Sequence, residues 1–293
     1  MNILLIVTLA LLGALLGSFA VAQVWRLRAR QLVIDKRDGE KVDEAELRQL
    51  KQLLRPVRND RSECLSCHHQ LAWYDLLPII SWVALGGKCR YCRHTIGCPE
   101  VLAEAGLALV FVLSYIAWPY HLGSTLQLIP FVLWLVACVL LTILLVYDAK
   151  WSLLPFSVNI GLIIVVVLYV VALVVAGVPI DIVSIGSAIL LLGGLYLLFS
   201  LLGWVGMGDG ILGVGLALFL GSWQLAFLTL FLANLLGCFM LVPLYLGKRL
   251  HRQARIPFGP FLIVGAVVSL LAGNWIILHL FGATGLLVNL LML

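Results

Sequence analysis

Apolar residues run almost unbroken from residue 3 to 25, and after a polar stretch they return at about 101–118, 126–147, 156–178, 182–204, 211–221, 224–246 and 260–282. A helix needs roughly 20 residues to cross a hydrocarbon core, so the pattern predicts an all-α polytopic membrane protein with about eight transmembrane helices. The weakest run, 211–221, is too short for an upright crossing unless it extends through Gly221-Ser222-Trp223, tilts or re-enters. No positive charge precedes the first run, whereas Arg26, Arg28 and Arg30 follow it directly. That asymmetry favours a retained N-terminal helix, although Ala20-Val21-Ala22 resembles a signal-peptide cleavage site.

The polar stretch has a pattern of its own. Asp43 with Glu46 three residues on is a helix-start signal, and Leu47, Leu50, Leu53 and Leu54 share a face between Arg48, Lys51 and Arg55. A short amphipathic helix is expected there, either solvated as a hairpin arm or lying on anionic lipid. The chain thus reads as an N-terminal transmembrane helix at 1–25, a basic, cysteine-rich region at 26–98 and a transmembrane domain at 99–293.

Composition excludes a soluble domain. Only 11% of residues are charged, against about 25% in soluble proteins, and mean hydropathy is +1.11. Fourteen of the 19 Lys and Arg lie between Arg26 and Arg93, and four more between Lys248 and Arg255. Such clustering marks the cytoplasmic side of a membrane and not a nucleic-acid footprint. With 26–98 inside and sides alternating, the loop at Asp148, the break at Gly206–Gly210 and the basic segment Lys248–Arg255 all fall inside. If 211–221 does not cross, later orientations flip and Lys248–Arg255 breaks the charge rule.

Two sets of side chains carry candidate chemistry. Cys64-x-x-Cys67 and Cys89-x-x-Cys92 are paired thiols in a reducing compartment, and two such turns match a zinc ribbon with four sulfur ligands. His68, His69, His94 and Cys98 are nearby second choices. The carboxylates of Asp148 and Asp209 end or begin apolar runs, where an acid is costly enough to suggest function. Either alone would suit a helix cap at the membrane surface. Around Asp209, however, Gly206 and Gly208 permit close approach of another chain and positive φ. After Asp148, Leu153-Leu154-Pro155 breaks the helix at membrane depth, which is tolerable where backbone lines a water-accessible cavity. Glu104, early in the second run, lies near the same face and is read as a substrate or cation contact, or as an interfacial carboxylate. Paired acids at a glycine-rich break would also suit an ion- or proton-coupled transporter, and a zinc ribbon would suit a non-catalytic assembly scaffold.

Five segments in order resemble the prepilin peptidases, bacterial members of the GxGD-type membrane aspartyl proteases. They are Gly17-Ser18-Phe19 with Trp25-Arg26-Leu27; Cys64 to Cys92; Asp148 to Pro155, similar to a D-x-x-x-x-L-P segment; Gly206-Met207-Gly208-Asp209; and Ile256-Pro257-Phe258-Gly259-Pro260-Phe261. The chain departs from the family pattern at Ile211, where members carry lysine, and at Phe156, where an acid or Asn is common. It departs again at Gly97-Cys98-Pro99, where members read arginine-tyrosine-proline. The resemblance implies that Asp148 and Asp209 are the catalytic acids. It further implies cleavage of the basic leader of type IV prepilins or pseudopilins after a Gly, and N-methylation of the new terminus with S-adenosylmethionine. The expected setting is the bacterial cytoplasmic membrane, with the acids and the cysteine-rich loop on the inner side and the lipid bilayer and prepilins as partners.

Overall fold

A computed structural model describes residues 2–54, 61–120, 122–203, 205–246 and 257–281. The basic segment Lys248–Arg255, together with Arg55 and Ile256, lies outside the described residues. Two compact units are formed, Met1–Val112 and Leu113–Leu293.

In the first unit, helix α1 spans Ile3–Arg37, opened by the Asn2 side chain on the N–H of Leu4. It runs past the first apolar stretch because no Gly or Pro interrupts residues 26–37; Gly39, at φ +82, follows its end. Lys36 and Arg37 suit the negative end of its dipole. Helix α2 (Glu44–Leu50), capped by Asp43 as expected, folds back and buries Leu47 and Leu50 against Ala29 and Leu32 of α1. A two-pronged Arg28–Glu46 pair at 2.9 and 2.7 Å fixes the hairpin. Leu47, Leu50 and Leu53 of the amphipathic face are therefore taken up by α1, while Leu54 stays exposed.

A five-residue helix, α3 (Ile80–Ala84), lies between the two cysteine pairs, and α4 (Cys98–Ile116) follows the second pair. Helices α1 and α4 touch backbone to backbone: a Cβ on Gly13 would stand 2.7 Å from the Cα of Ala108, and one on Gly17 2.7 Å from the Cα of Glu104. This is the small-xxx-small packing of membrane helices, where close approach replaces a hydrophobic drive.

The second unit is a helical bundle. Helix α5 (Thr125–Trp151) is capped by Ser124 and ends where Ser152 adopts φ +51. Pro155 then starts α6 (Phe156–Val175), since it can open a helix but not continue one. Helix α7 (Ile182–Ile189) passes through a π-helical turn, Leu190–Gly194, into α8 (Leu195–Leu201). After them come α9 (Met207–Leu220), α10 (Trp223–Leu246) and α11 (Gly259–Ile276).

Helix α9 is the hub, packed on α6, α7, α8 and α11. Its glycines are spacers: a Cβ at Gly210 would lie 2.7 Å from Leu197, and one at Gly213 3.0 Å from the carbonyl of Leu192. At its far end Phe219 sits between Trp134 and Tyr169, ring centroids 5.4 and 4.9 Å away.

Seven described helices are long and apolar enough to cross a membrane, α7 to α8 counting as one. The remaining run, 211–221, falls in α9, only 14 residues, or about 21 Å at 1.5 Å per residue, short of a hydrocarbon core of roughly 30 Å.

Replacing Gly17 with Leu should force α1 from α4 and destabilise the first unit by about 1–3 kcal/mol. Thermal unfolding in detergent micelles measures this, and an unchanged transition would mean that the helices pack elsewhere.

Candidate active site and metal centre

Four helix ends converge in the second unit. Asp148 lies three residues before the end of α5 and is 4% exposed. Its Oδ2 accepts the backbone N–H of Gly259 at 3.0 Å. Gly259 opens α11, so its N–H is one of the donors that a helix start leaves without an internal partner, and a carboxylate there also meets the positive end of the dipole. A Cβ at this position would come within 2.6 Å of the Asp148 oxygen. Only glycine lets the contact form.

Asp209 sits in the first turn of α9, its N–H bonded to the Gly206 carbonyl at 3.1 Å. The two carboxylates lie within electrostatic reach of each other. Neither Gly206 nor Gly208 has a positive φ. What Gly208 supplies is room, since a Cβ there would stand 2.8 Å from the Cβ of Leu154 in the α5–α6 turn. From the next turn of α6, Asn159 donates its side-chain amide to the Gly208 carbonyl at 3.2 Å. Tyr196, two residues past the π-helical turn and 4% exposed, lies within electrostatic reach of Asp209. Gly259, Asn159 and Tyr196 were absent from the sequence-level site. Gly259 lies inside the Ile256–Phe261 segment, but its partner is 111 residues away; Asn159, the sole Asn of its apolar run, was the available signal.

Glu104 has a different engagement, within the first unit. Its Oε2 accepts the N–H of Ile79 at 2.7 Å. Ile79 has φ +62 and ψ −49 with the next N–H turned back onto Pro78, a γ-turn of the strained hand that a β-branched residue rarely adopts.

The cysteine pairs fold into matching knuckles. Cys64 accepts at its carbonyl from the N–H of His68, which has φ +56, and donates its own N–H to His69; Cys89 does the same with Arg93, at φ +59, and His94. The four sulfurs lie within 4.8 Å of one another. Such convergence of soft donors can hold a metal ion, and the closed set leaves no position for a reacting water. Among the described residues no histidine joins the group; His69 packs on Tyr91 in a tilted arrangement, with centroids 3.7 Å apart. Burial pushes the Cys64 thiol up to about 12. Burial also acts on Cys89, but N–H groups of Cys92 and Tyr91 and the neighbouring thiols bring it down to about 7.

Beside the knuckles, Asp75 accepts from Arg90 at 2.8 Å and from the Tyr91 hydroxyl at 3.2 Å, while Arg90 lies 5.0 Å over the Tyr74 ring. Burial pushes the Asp75 carboxyl up, yet Arg90, the Ala72 N–H and Tyr91 together hold it below the usual carboxylate range.

Fold and site together define a polytopic membrane protein with paired acids at convergent helix ends and a separate four-thiol centre. The family model for the bacterial peptidase A24 N-terminal domain matches residues 11–118. The prepilin leader peptidase/N-methyltransferase of Pseudomonas aeruginosa is 30% identical over 276 residues, covering 91% of this chain and 90% of that protein. The protein of the same name from Pseudomonas putida is 30% identical over 92% of this chain and 91% of its own, and that from Aeromonas hydrophila 31% over 73% and 72%. No solved structure matches the chain. The chain belongs to the prepilin leader peptidase/N-methyltransferase family.

Because the folded Asp75 carboxyl titrates below its unfolded value, its contribution is complete above about pH 4 and is lost as pH falls through the folded value. Arg90→Leu should therefore lower the loop's resistance to proteolysis at pH 6, and the gap from the parent protein should close towards pH 3. Limited proteolysis across that range is the measurement, and a gap independent of pH would contradict it.

Proposed function

We propose that the protein is a membrane aspartyl endopeptidase that removes the basic leader of type IV prepilins or pseudopilins after a Gly, with Asp148 and Asp209 as its catalytic pair. The observation that carries the reading is the meeting of these two acids at convergent helix ends, close enough to feel each other's charge.

Like charges held together cannot both ionise, so the pair shares a proton near neutral pH. One acid takes a proton from the water that attacks the Gly carbonyl; the other polarises that carbonyl and then protonates the leaving amine. Asp148 is tied to the backbone N–H of Gly259. Gly206, exposed before α9, offers an open surface for the substrate's unwound backbone, and Gly208 keeps α9 tight against Leu154. Glu104 we assign to holding Ile79, in place of a substrate or cation contact.

The four cysteines would hold Zn2+, whose chemistry there is structural. N-methylation of the new terminus, with S-adenosylmethionine as methyl donor, extends the reading because the curated relatives carry that activity in their names. We place the protein in the bacterial cytoplasmic membrane as a multi-pass protein, its acids and cysteine-rich loop on the inner side. Family membership favours hydrolysis over ion-coupled transport.

Asp148→Asn and Asp209→Asn should each lower cleavage of a prepilin by purified protein on the order of 10³-fold or more, read by mass spectrometry of the product, which also reports N-methylation. Near-normal cleavage by either variant would remove that acid from the mechanism. Chelation, or Cys67→Ser, should strip about one zinc per chain, measured by elemental analysis, and open residues 61–97 to protease. Retained protection without metal would deny the ion its structural role.

A further inference from the structure

Asn159 is a buried amide in the first turns of a membrane helix, 1% exposed. Its Nδ2 donates to the Gly208 carbonyl, while its Oδ1 is buried with no hydrogen-bond partner among the described residues. Leucine would fill such a place without leaving an acceptor unpaired, so the amide costs stability at a site where stability alone would select a hydrocarbon. What it secures is the peptide joining Gly208 to Asp209. That peptide is gripped on one side by the bond from Asn159 and on another by Leu154, packed where a Cβ of Gly208 would be. Leu154 and Asn159 follow Asp148 along the chain, across the turn at Ser152 and Pro155. A short, stiff path therefore runs from one acid to the backbone of the other.

We propose that Asn159 is a positioning residue which sets the spacing of Asp209 from Asp148 through the Gly208 carbonyl. The inference rests on the peptidase reading above. Two acids that share a proton titrate further apart the closer they stand, so the spacing is legible in the pH–rate profile. Without the amide donor the Gly208–Asp209 peptide can rotate, the acids separate, and the two limbs of the bell approach each other. Substrate affinity, set elsewhere, is unaffected.

The test uses full-length protein in detergent micelles with a prepilin, comparing the parent chain with Asn159→Leu and Asn159→Asp. Asn159→Leu keeps the bulk and loses the donor. Its kcat should fall at least about tenfold, since small misplacement of reacting groups is expensive, with KM within twofold and a narrowed bell. Asn159→Asp can still donate from a neutral carboxyl, so it should fall less than Asn159→Leu on the acid side. Thermal unfolding of each variant accompanies the kinetics; should the Leu variant fail to fold, the Asp variant alone decides through its bell. Parent-like kcat and bell in the folded variants would overturn the inference, as would a fall in kcat with an unmoved bell. A parent protein that cleaves nothing, or an Asp148→Asn variant that cleaves normally, would overturn the peptidase reading and this inference with it, whereas a parent-like Asn159→Leu beside an inactive Asp148→Asn would overturn this inference alone.

Discussion

A carboxylate taken out of water must be answered by a donor, and for Asp148 the answer is one backbone N–H at the start of α11. That bond needs a glycine, because any side chain at position 259 would occupy the place of the oxygen. It also needs α5 to end at the level where α11 begins. The left-handed Ser152 and Pro155 provide that ending, and the same turn sets Leu154 against Gly208. Asp209 is thus located by the geometry that houses Asp148, and the two acids are parts of one arrangement of helix ends.

Helix α9 makes that arrangement compact. At 14 residues the helix is shorter than a hydrocarbon core is thick, and its contacts lie with other helices on most sides. Glycines at 208, 210 and 213 let those neighbours touch its backbone. The π-helical turn before α8 adds a residue to the helical repeat, after which Tyr196 lies buried near Asp209 and its ring 5.7 Å from that of Phe258.

Hydropathy made the spans legible, because lipid demands about 20 apolar residues whatever their neighbours are. The repeated CxxC made the four-thiol cluster legible, since each turn presents two sulfurs without help from the rest of the chain. Local signals also placed Asp43 at the start of α2 and a break after Asp148. Contacts over long separations were hidden: the partner of Asp148 is 111 residues away, and an N–H leaves no mark in a side-chain pattern. Asn159 was hidden by company, one amide inside an apolar run. The apolar run ends at 25 but helix α1 continues to Arg37, because hydropathy changes there while helix propensity does not, and no breaker comes until Gly39. The short reach of α9, in contrast, was foretold by the length of its run.

That uninterrupted α1 is a rod of 35 residues, roughly 50 Å at 1.5 Å per residue. A hydrocarbon slab takes up some 30 Å of it, and the remainder stands clear of the bilayer as a strut. Because α2 is bolted to the strut by Arg28 and Glu46, the arm keeps a fixed height and heading. A change in the tilt of α1 would therefore carry α2 with it.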